Sequence, residues 1–242
     1  MIRDCSDRIT SYFDTCSRDV TPASARQAAH VLYAPLSHDP EVSRHCASVL
    51  SDIELQRADR FAAEDDRAQF IQRRAFRRFC GATAFGSSQP LSQIAFEHTE
   101  DGRPYLVDAP DLWVSFSSCR FGMLGAWSST HGIGVDVEDH TRELEAGELA
   151  QQYFSVAEAE AVEGADSVEC LRTFYRFWSL KEAALKSIGE GLPFGLDAFE
   201  FELDPHPRVI HAPADHGGPK QFDAHVIEWA DICAALVIRS LA

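Results

Sequence analysis

The sequence predicts a protein that mixes α-helices with β-strands, on three observations. Two long stretches, about 40–84 and 169–188, carry apolar residues at helical spacing. Short alternating stretches of strand type lie at 31–36, 103–107, 113–120, 123–127 and 198–238. The third is Gly132-Ile133-Gly134-Val135-Asp136-Val137-Glu138, where the alternation is strict and the two faces differ in chemistry.

At 242 residues the chain is long enough for one large domain or for two lobes of about 120 residues, either of which buries a core. Its formal net charge of -16 leaves no global positive field to gather polyanions, which argues against a nonspecific binder of nucleic acid or of an anionic membrane. A local basic pocket is still allowed. The seven cysteines are odd in number, widely spaced and free of metal-ligand patterns, as expected for reduced thiols in the cytoplasm. Residues 1–19 lack the apolar run of a signal peptide, and no stretch approaches transmembrane length. A soluble cytoplasmic protein is expected, with neither nucleic acid nor membrane as a partner.

In chain order, residues 1–28 read as a loosely held polar extension, and 31–36 as a strand ended by Pro35. The helical region 40–84 takes its apolar positions from Leu50, Ile53, Leu55, Phe61, Phe70, Ile71, Phe76 and Phe79, with Gly81 and Gly86 at its end. It contains Arg73-Arg74-Ala75-Phe76-Arg77-Arg78, in which Arg73 and Arg77, and Arg74 and Arg78, are helical neighbours. These guanidiniums either pair with Glu64, Asp65 and Asp66 or form a phosphate site. Asp101-Gly102 marks a turn into the strand 103–107, and 113–120 alternates into the hydroxyl-rich Ser115-Phe116-Ser117-Ser118. The strand 123–127 is expected to form a hairpin with 132–138.

On that last strand Ile133, Val135 and Val137 make a core face, while Gly134, Asp136 and Glu138 share the other. Two carboxylates at i and i+2 stand roughly 7 Å apart and repel one another unless something positive lies between them. A hard divalent cation such as Mg²⁺ is the natural occupant; a solvated acidic strand face is the plainer reading. Residues 141–163 read as helical with a break at Phe154-Ser155, where Ser155 and Glu158 form a capping box. On the helix 169–188, Phe174, Phe177, Trp178, Leu185 and Ile188 form an apolar stripe that includes Lys181, while Glu182 and Lys186 stand one turn apart at its edge. A loop follows at 189–193. The C-terminal part is β-rich, with strands at 198–203 and 208–210 and a hairpin of 222–229 with 232–238 across Ala230-Asp231. The chain shows no G-x-S-x-G, P-loop or dinucleotide-binding motif.

The order of a hydroxyl patch, then G-I-G-V-D-V-E, then F-W-S-L-K-E-A-A-L-K some forty residues later, then G-E-G-L, resembles the 4′-phosphopantetheinyl transferase superfamily of the Sfp type. The likeness covers about 30–240, tightly in the two motifs. It implies an α+β fold of two similar lobes, 1–126 and 127–242, related by a pseudo-two-fold axis with the active site in the cleft between them. It implies transfer of the phosphopantetheine arm of coenzyme A to a serine of an acyl, peptidyl or aryl carrier protein, releasing adenosine 3′,5′-bisphosphate. A monomer is expected.

Carried over by position, Asp136, Glu138 and Glu182 would hold Mg²⁺. Lys186 would stand at the phosphates and Lys181 near the same site. The base that takes the serine proton would be Glu182 or a water on the metal. Arg73, Arg77, Arg103, Ser117 and Ser118 would bind coenzyme A, Arg103 standing in the family's G-K-P turn as Gly102-Arg103-Pro104. Ser118 stands where the family commonly has a histidine, which removes a charge from the nucleotide side unless Arg120 compensates. The alternatives are a non-catalytic relative that binds coenzyme A or a carrier as a regulator, and an unrelated Mg²⁺-dependent pyrophosphate hydrolase.

Overall fold

A computed structural model describes residues 2–86, 88–190 and 194–241, and for residues 2–7, 167 and 168 the backbone alone. Gly191, Leu192 and Pro193, the second half of the loop expected at 189–193, lie outside the described residues.

The N-terminal segment is not a loose extension. Residues Ile2–Cys16 form helix α1, which buries Ile9 and Phe13 one turn apart; Phe13 is wholly enclosed against Phe76 and Phe79. The polar composition of the segment concealed a two-residue apolar stripe, which is enough to dock a short helix once a core exists to receive it. Strands β1 (Arg18–Asp19) and β2 (His30–Pro35) follow, with the Thr21 hydroxyl accepting from the Val31 amide.

The helical region 40–84 is three helices, because the sequence restarts it twice. Asp39 caps α2 (Pro40–Ala47), Ser51 and Glu54 form a capping box on α3 (Asp52–Ala58), and Gly86 in the left-handed conformation ends α4 (Glu64–Phe85). Next come β3 (Phe96–His98), β4 (Pro104–Leu106), β5 (Ala109–Ser118), β6 (Gly122–Ser128) and β7 (His131–Asp139). Helices α5 (Ala146–Tyr153), α6 (Val156–Glu163, started by the expected Ser155–Glu158 box) and α7 (Ser167–Ile188) precede β8 (Glu200–Glu202) and β9 (Arg208–His211). The chain closes with the expected hairpin of β10 (Phe222–Trp229) and β11 (Ile232–Ser240), turning through Ala230 at φ 47°.

The fold is α+β, with antiparallel sheets among the described residues. One runs β1-β2-β6-β5-β4-β3, a second β10-β11-β7, and a third pairs β8 with β9. The hairpin expected between 123–127 and 132–138 does not form: β6 lies between β2 and β5, while β7 pairs with β11. Ile133, Val135 and Val137 explain the difference. They pack with Val31, Leu124 and Ala126 of the first sheet, so β6 and β7 meet face to face across a core layer instead of edge to edge. The chain changes sheets just after Ser128, two residues beyond the lobe boundary expected at 126/127. No helix among the described residues is long and apolar enough to cross a membrane.

If α1 belongs to the folded body, Phe13→Ala costs about 3–5 kcal/mol, read from the midpoint of urea unfolding; a midpoint equal to the parent's would return the segment to the status of a loose extension.

Candidate active site

Helix α7 lies on β7 and β11, and glycine makes the approach possible. A Cβ at Gly134 would fall 1.8 Å from the Ala183 carbonyl oxygen and 2.6 Å from the Ser187 amide nitrogen; one at Gly132 would fall 2.7 Å from the Ser187 carbonyl. The helix backbone therefore occupies the space that side chains would take on that face of the strand. The next residues on the face are Asp136 and Glu138, and the helix brings Glu182 and Lys186 to them.

Lys186 links the groups. Its Nζ donates to Asp136 Oδ1 at 2.7 Å and to the Val135 carbonyl at 3.2 Å, and stands 3.9 Å from Glu182 Oε2. Ser117 Oγ, reaching across from β5, donates to the same Asp136 Oδ1 at 2.8 Å. Asp136 is buried, and its Oδ2 has no partner. Burial and then the Asp136 carboxylate push the Glu138 carboxyl up to about 7. Burial likewise raises the Glu182 carboxyl, against the opposing pull of Lys186.

The carboxylates thus share one region, with Lys186 between Asp136 and Glu182. Among the described residues no three His, Cys, Asp or Glu side chains stand close enough to hold a metal ion as they are placed. The donor chemistry nonetheless fits a hard cation: hard carboxylate oxygens, one of them buried and unpartnered, and a Glu138 carboxyl whose charge is disfavoured by burial and then by the neighbouring Asp136 carboxylate.

Beyond Lys186 opens a cavity of about 250 Å³, walled by Arg77, His98, Arg103, Phe116, Lys186 and Glu190 among others. Arg77 lies over the Phe116 ring at 5.1 Å, and burial followed by its arginine neighbours depresses its guanidinium to about 10. Arg103 stacks on Trp113 at 4.2 Å and carries a buried, unpartnered Nη1. Asp101 and Glu190 also line the cavity, but the unpartnered Arg103 Nη1 and the two guanidiniums give the wall groups suited to an anion.

The other expected residues distribute differently. Lys181 is not at the phosphates. It is fully buried on another side of α7, where Nζ meets Glu158 Oε2 at 2.7 Å and the carbonyls of Leu196 and Phe199 at 3.1 and 2.5 Å. Glu158 in turn accepts from the Phe201 and Ser155 amides, so the pair ties α6, α7 and the chain before β8 together. Of the apolar stripe expected on α7, Phe174, Phe177, Leu185 and Ile188 are buried and Trp178 half-buried, but Tyr175, Leu180, Ala183 and Ala184 are buried too, so Lys181 is enclosed without a route to solvent.

Arg73 donates to Gln69 and lies outside the cavity wall, as does Ser118 at the end of β5 opposite Met123. Arg74 lies over Phe70, and Arg78 pairs with Glu54 and the Ile94 carbonyl instead of with the acidic residues at the start of α4. Arg120 is held by Asp139 at 2.5 Å and by Thr141, so it is committed away from a compensating role. Sequence reasoning missed His98, and Arg57 of α3, which shares the Phe70 ring with Arg74. Ser115, the first residue of the expected hydroxyl patch, accepts through its Oγ from the Val135 amide. Neither His98 nor Arg57 carries a motif signal; tertiary folding alone brings them here.

Comparison with known proteins places these features in a family. A family model described as the 4′-phosphopantetheinyl transferase superfamily matches residues 132–237, a span that includes α7, β10 and all of β7 but its first residue. The chain is 30% identical over 181 residues to the 4′-phosphopantetheinyl transferase HetI of Nostoc sp., covering 73% of this chain and 74% of that protein. It is 33% identical over 126 residues to the 4′-phosphopantetheinyl transferase Sfp of Bacillus subtilis, covering 52% and 55%. A further 4′-phosphopantetheinyl transferase of Bacillus subtilis is 28% identical over 206 residues, covering 83% and 88%.

Removing the buried ammonium separates structure from binding. Lys181→Met leaves Glu158 uncompensated and is expected to cost about 3–5 kcal/mol. Coenzyme A affinity of the folded fraction, measured by calorimetry at low temperature, should be unchanged; lost affinity at full stability would restore Lys181 to the phosphate site.

Proposed function

The chain belongs to the 4′-phosphopantetheinyl transferase superfamily, a family of transferases, and we propose that it moves the phosphopantetheine arm of coenzyme A to a serine hydroxyl of an acyl, peptidyl or aryl carrier protein. The observation that carries this reading is the meeting of two oppositely charged walls at Lys186. On one side stand Asp136, Glu138 and Glu182; on the other, Arg77 and Arg103.

In the proposed reaction the serine oxygen bonds to the phosphorus next to the pantetheine arm. The bond from that phosphorus to the bridging oxygen breaks, and adenosine 3′,5′-bisphosphate leaves with the bond's electrons. Arg77 and Arg103 hold the nucleotide's phosphates, using guanidinium charge that burial has left uncompensated. Lys186 stabilises the departing bisphosphate. Glu182, beside Lys186 on α7, receives the serine proton. Mg²⁺, held by Asp136, Glu138 and Glu182, would supply charge neutralisation on the pyrophosphate oxygens.

We take the two sheet-and-helix halves to be the family's two lobes, related by a pseudo-two-fold axis. We place the protein in the cytoplasm as a monomer, in line with its widely spaced cysteines. With a net charge of -16, docking of an acidic carrier relies on apolar contact or on a local basic patch such as Arg57 and Arg74.

Intact-mass analysis of apo carrier proteins incubated with coenzyme A and Mg²⁺ tests the proposal. A phosphopantetheine mass increment is expected on at least one carrier, and removal of Mg²⁺ by chelator should abolish it. Glu182→Gln should abolish transfer without altering the fold, and Arg77→Ala should raise the KM for coenzyme A about tenfold or more. Tight coenzyme A binding with no transfer to any carrier would favour the regulator instead.

A further inference from the structure

We propose that the cavity between β1, β2 and the β10–β11 turn is a binding site for a free amino acid with an apolar or aromatic side chain. The cavity measures about 400 Å³, a size suited to a small molecule, and shares no wall residue with the cavity beside Lys186. Arg18 is the cation in its walls. Arg18 and Tyr33 stand directly opposite one another on β1 and β2, so their side chains rise on one face. The guanidinium lies over the Tyr33 ring at 5.0 Å and the Trp229 ring at 4.7 Å, and the two rings meet edge to face at 4.9 Å. Stacking of this kind covers a flat face of the guanidinium and leaves its rim of N–H donors open. Among the described residues no carboxylate or carbonyl accepts from that rim. An arginine oriented in advance, with its fork unused, is ready for a planar carboxylate.

Asp231 is the other charged residue in the walls. It is exposed, and its carboxylate has neither Arg18 nor any other described residue as a partner. A plain anion would meet repulsion from Asp231, and a plain cation repulsion from Arg18. The α-carboxylate and α-ammonium of an amino acid answer both charges at once. Pro35, Phe121 and Ile232 supply apolar wall for its side chain, and Phe121 is 36% exposed with the cavity empty. The walls are fixed from behind. His140 donates its amide to the Asp231 carbonyl and its ring Nε2 to the Ala230 carbonyl at 3.0 Å, which grips the turn that carries Trp229 and Asp231. The Tyr33 hydroxyl donates to the Phe121 carbonyl at 3.2 Å. Arg18 precedes the stretch that resembles the transferase family, and the proposal does not depend on the transferase reading.

Nuclear magnetic resonance of the full chain labelled with ¹⁵N tests the inference without turnover. The reporter is the indole N–H of Trp229, identified by its loss in Trp229→Phe. Titration with L-phenylalanine, L-leucine and L-tryptophan is expected to shift that signal saturably for at least one of them. For L-phenylalanine as the binder, 3-phenylpropionate, which lacks the ammonium, and phenethylamine, which lacks the carboxylate, should each bind about tenfold more weakly or worse. Arg18→Gln and Asp231→Asn should each weaken amino-acid binding by about tenfold or more. Both replace exposed side chains, and either one carries the test if the other folds poorly. Absence of a saturable shift with all three amino acids overturns the proposal, as does binding by both variants equal to the parent's. Binding of 3-phenylpropionate as tight as that of L-phenylalanine also overturns it, since the site would then read a carboxylate alone.

Discussion

The close seating of α7 on β7 is the constraint on which the rest of the site depends. A helix normally packs on a sheet with a layer of side chains between them. Here Gly134 removes that layer, and the Ala183 carbonyl comes to where a Cβ would be. Glu182 and Lys186 sit on the part of the helix that this contact brings down, so they reach the strand's own Asp136 and Glu138. The price of the arrangement is a cluster of like charges in a buried place, visible in the raised Glu138 and Glu182 carboxyls. Lys186 offsets part of it.

The same seating explains why two lysines five residues apart on one helix have different fates. At about 100° per residue, residues 181 and 186 point more than a quarter-turn apart. Lys186 projects over β7 toward the cavity, while Lys181 enters the layer between α7, α6 and the approach to β8, where Glu158 awaits it. One lysine joins the opposite charges of the site; the other holds the scaffold behind them. The division also bears on α6: its capping glutamate serves the helix start and the buried ion pair together.

Much of this was legible in the chain. The alternation at 132–138 revealed the strand, its apolar face and the glycine that leaves room above it, and the i, i+4 spacing of Glu182 and Lys186 put them on one edge of a helix. What the sequence concealed was mostly tertiary. Nothing local distinguishes a serine that binds an anion from one that holds a carboxylate, so the direction of Ser117 was invisible until β5 was laid against β7. Lys181 was recognised as anomalous in an apolar stripe, but its partner lies 23 positions earlier on another helix. The arginines of α4 illustrate the same limit: a run of four resolves into Arg77 at the cavity, Arg78 in a buried ion pair, Arg74 over the Phe70 ring and Arg73 bonded to Gln69. In α1, a polar composition outweighed two apolar residues whose spacing was correct. The expected β6–β7 hairpin failed because a short turn between strands is equally compatible with a change of sheet.

The most direct measurement of the central claim is the transfer rate and folding stability of Gly134→Ala. The added methyl would meet the Ala183 carbonyl 1.8 Å away, so α7 must lift from the strand. The account predicts a protein that still folds, less stable by about 1–3 kcal/mol, with phosphopantetheine transfer reduced about a hundredfold at a temperature where it is fully native. Parental stability together with a parental rate would contradict it, because the helix would then not depend on the glycine to bring Glu182 and Lys186 to Asp136.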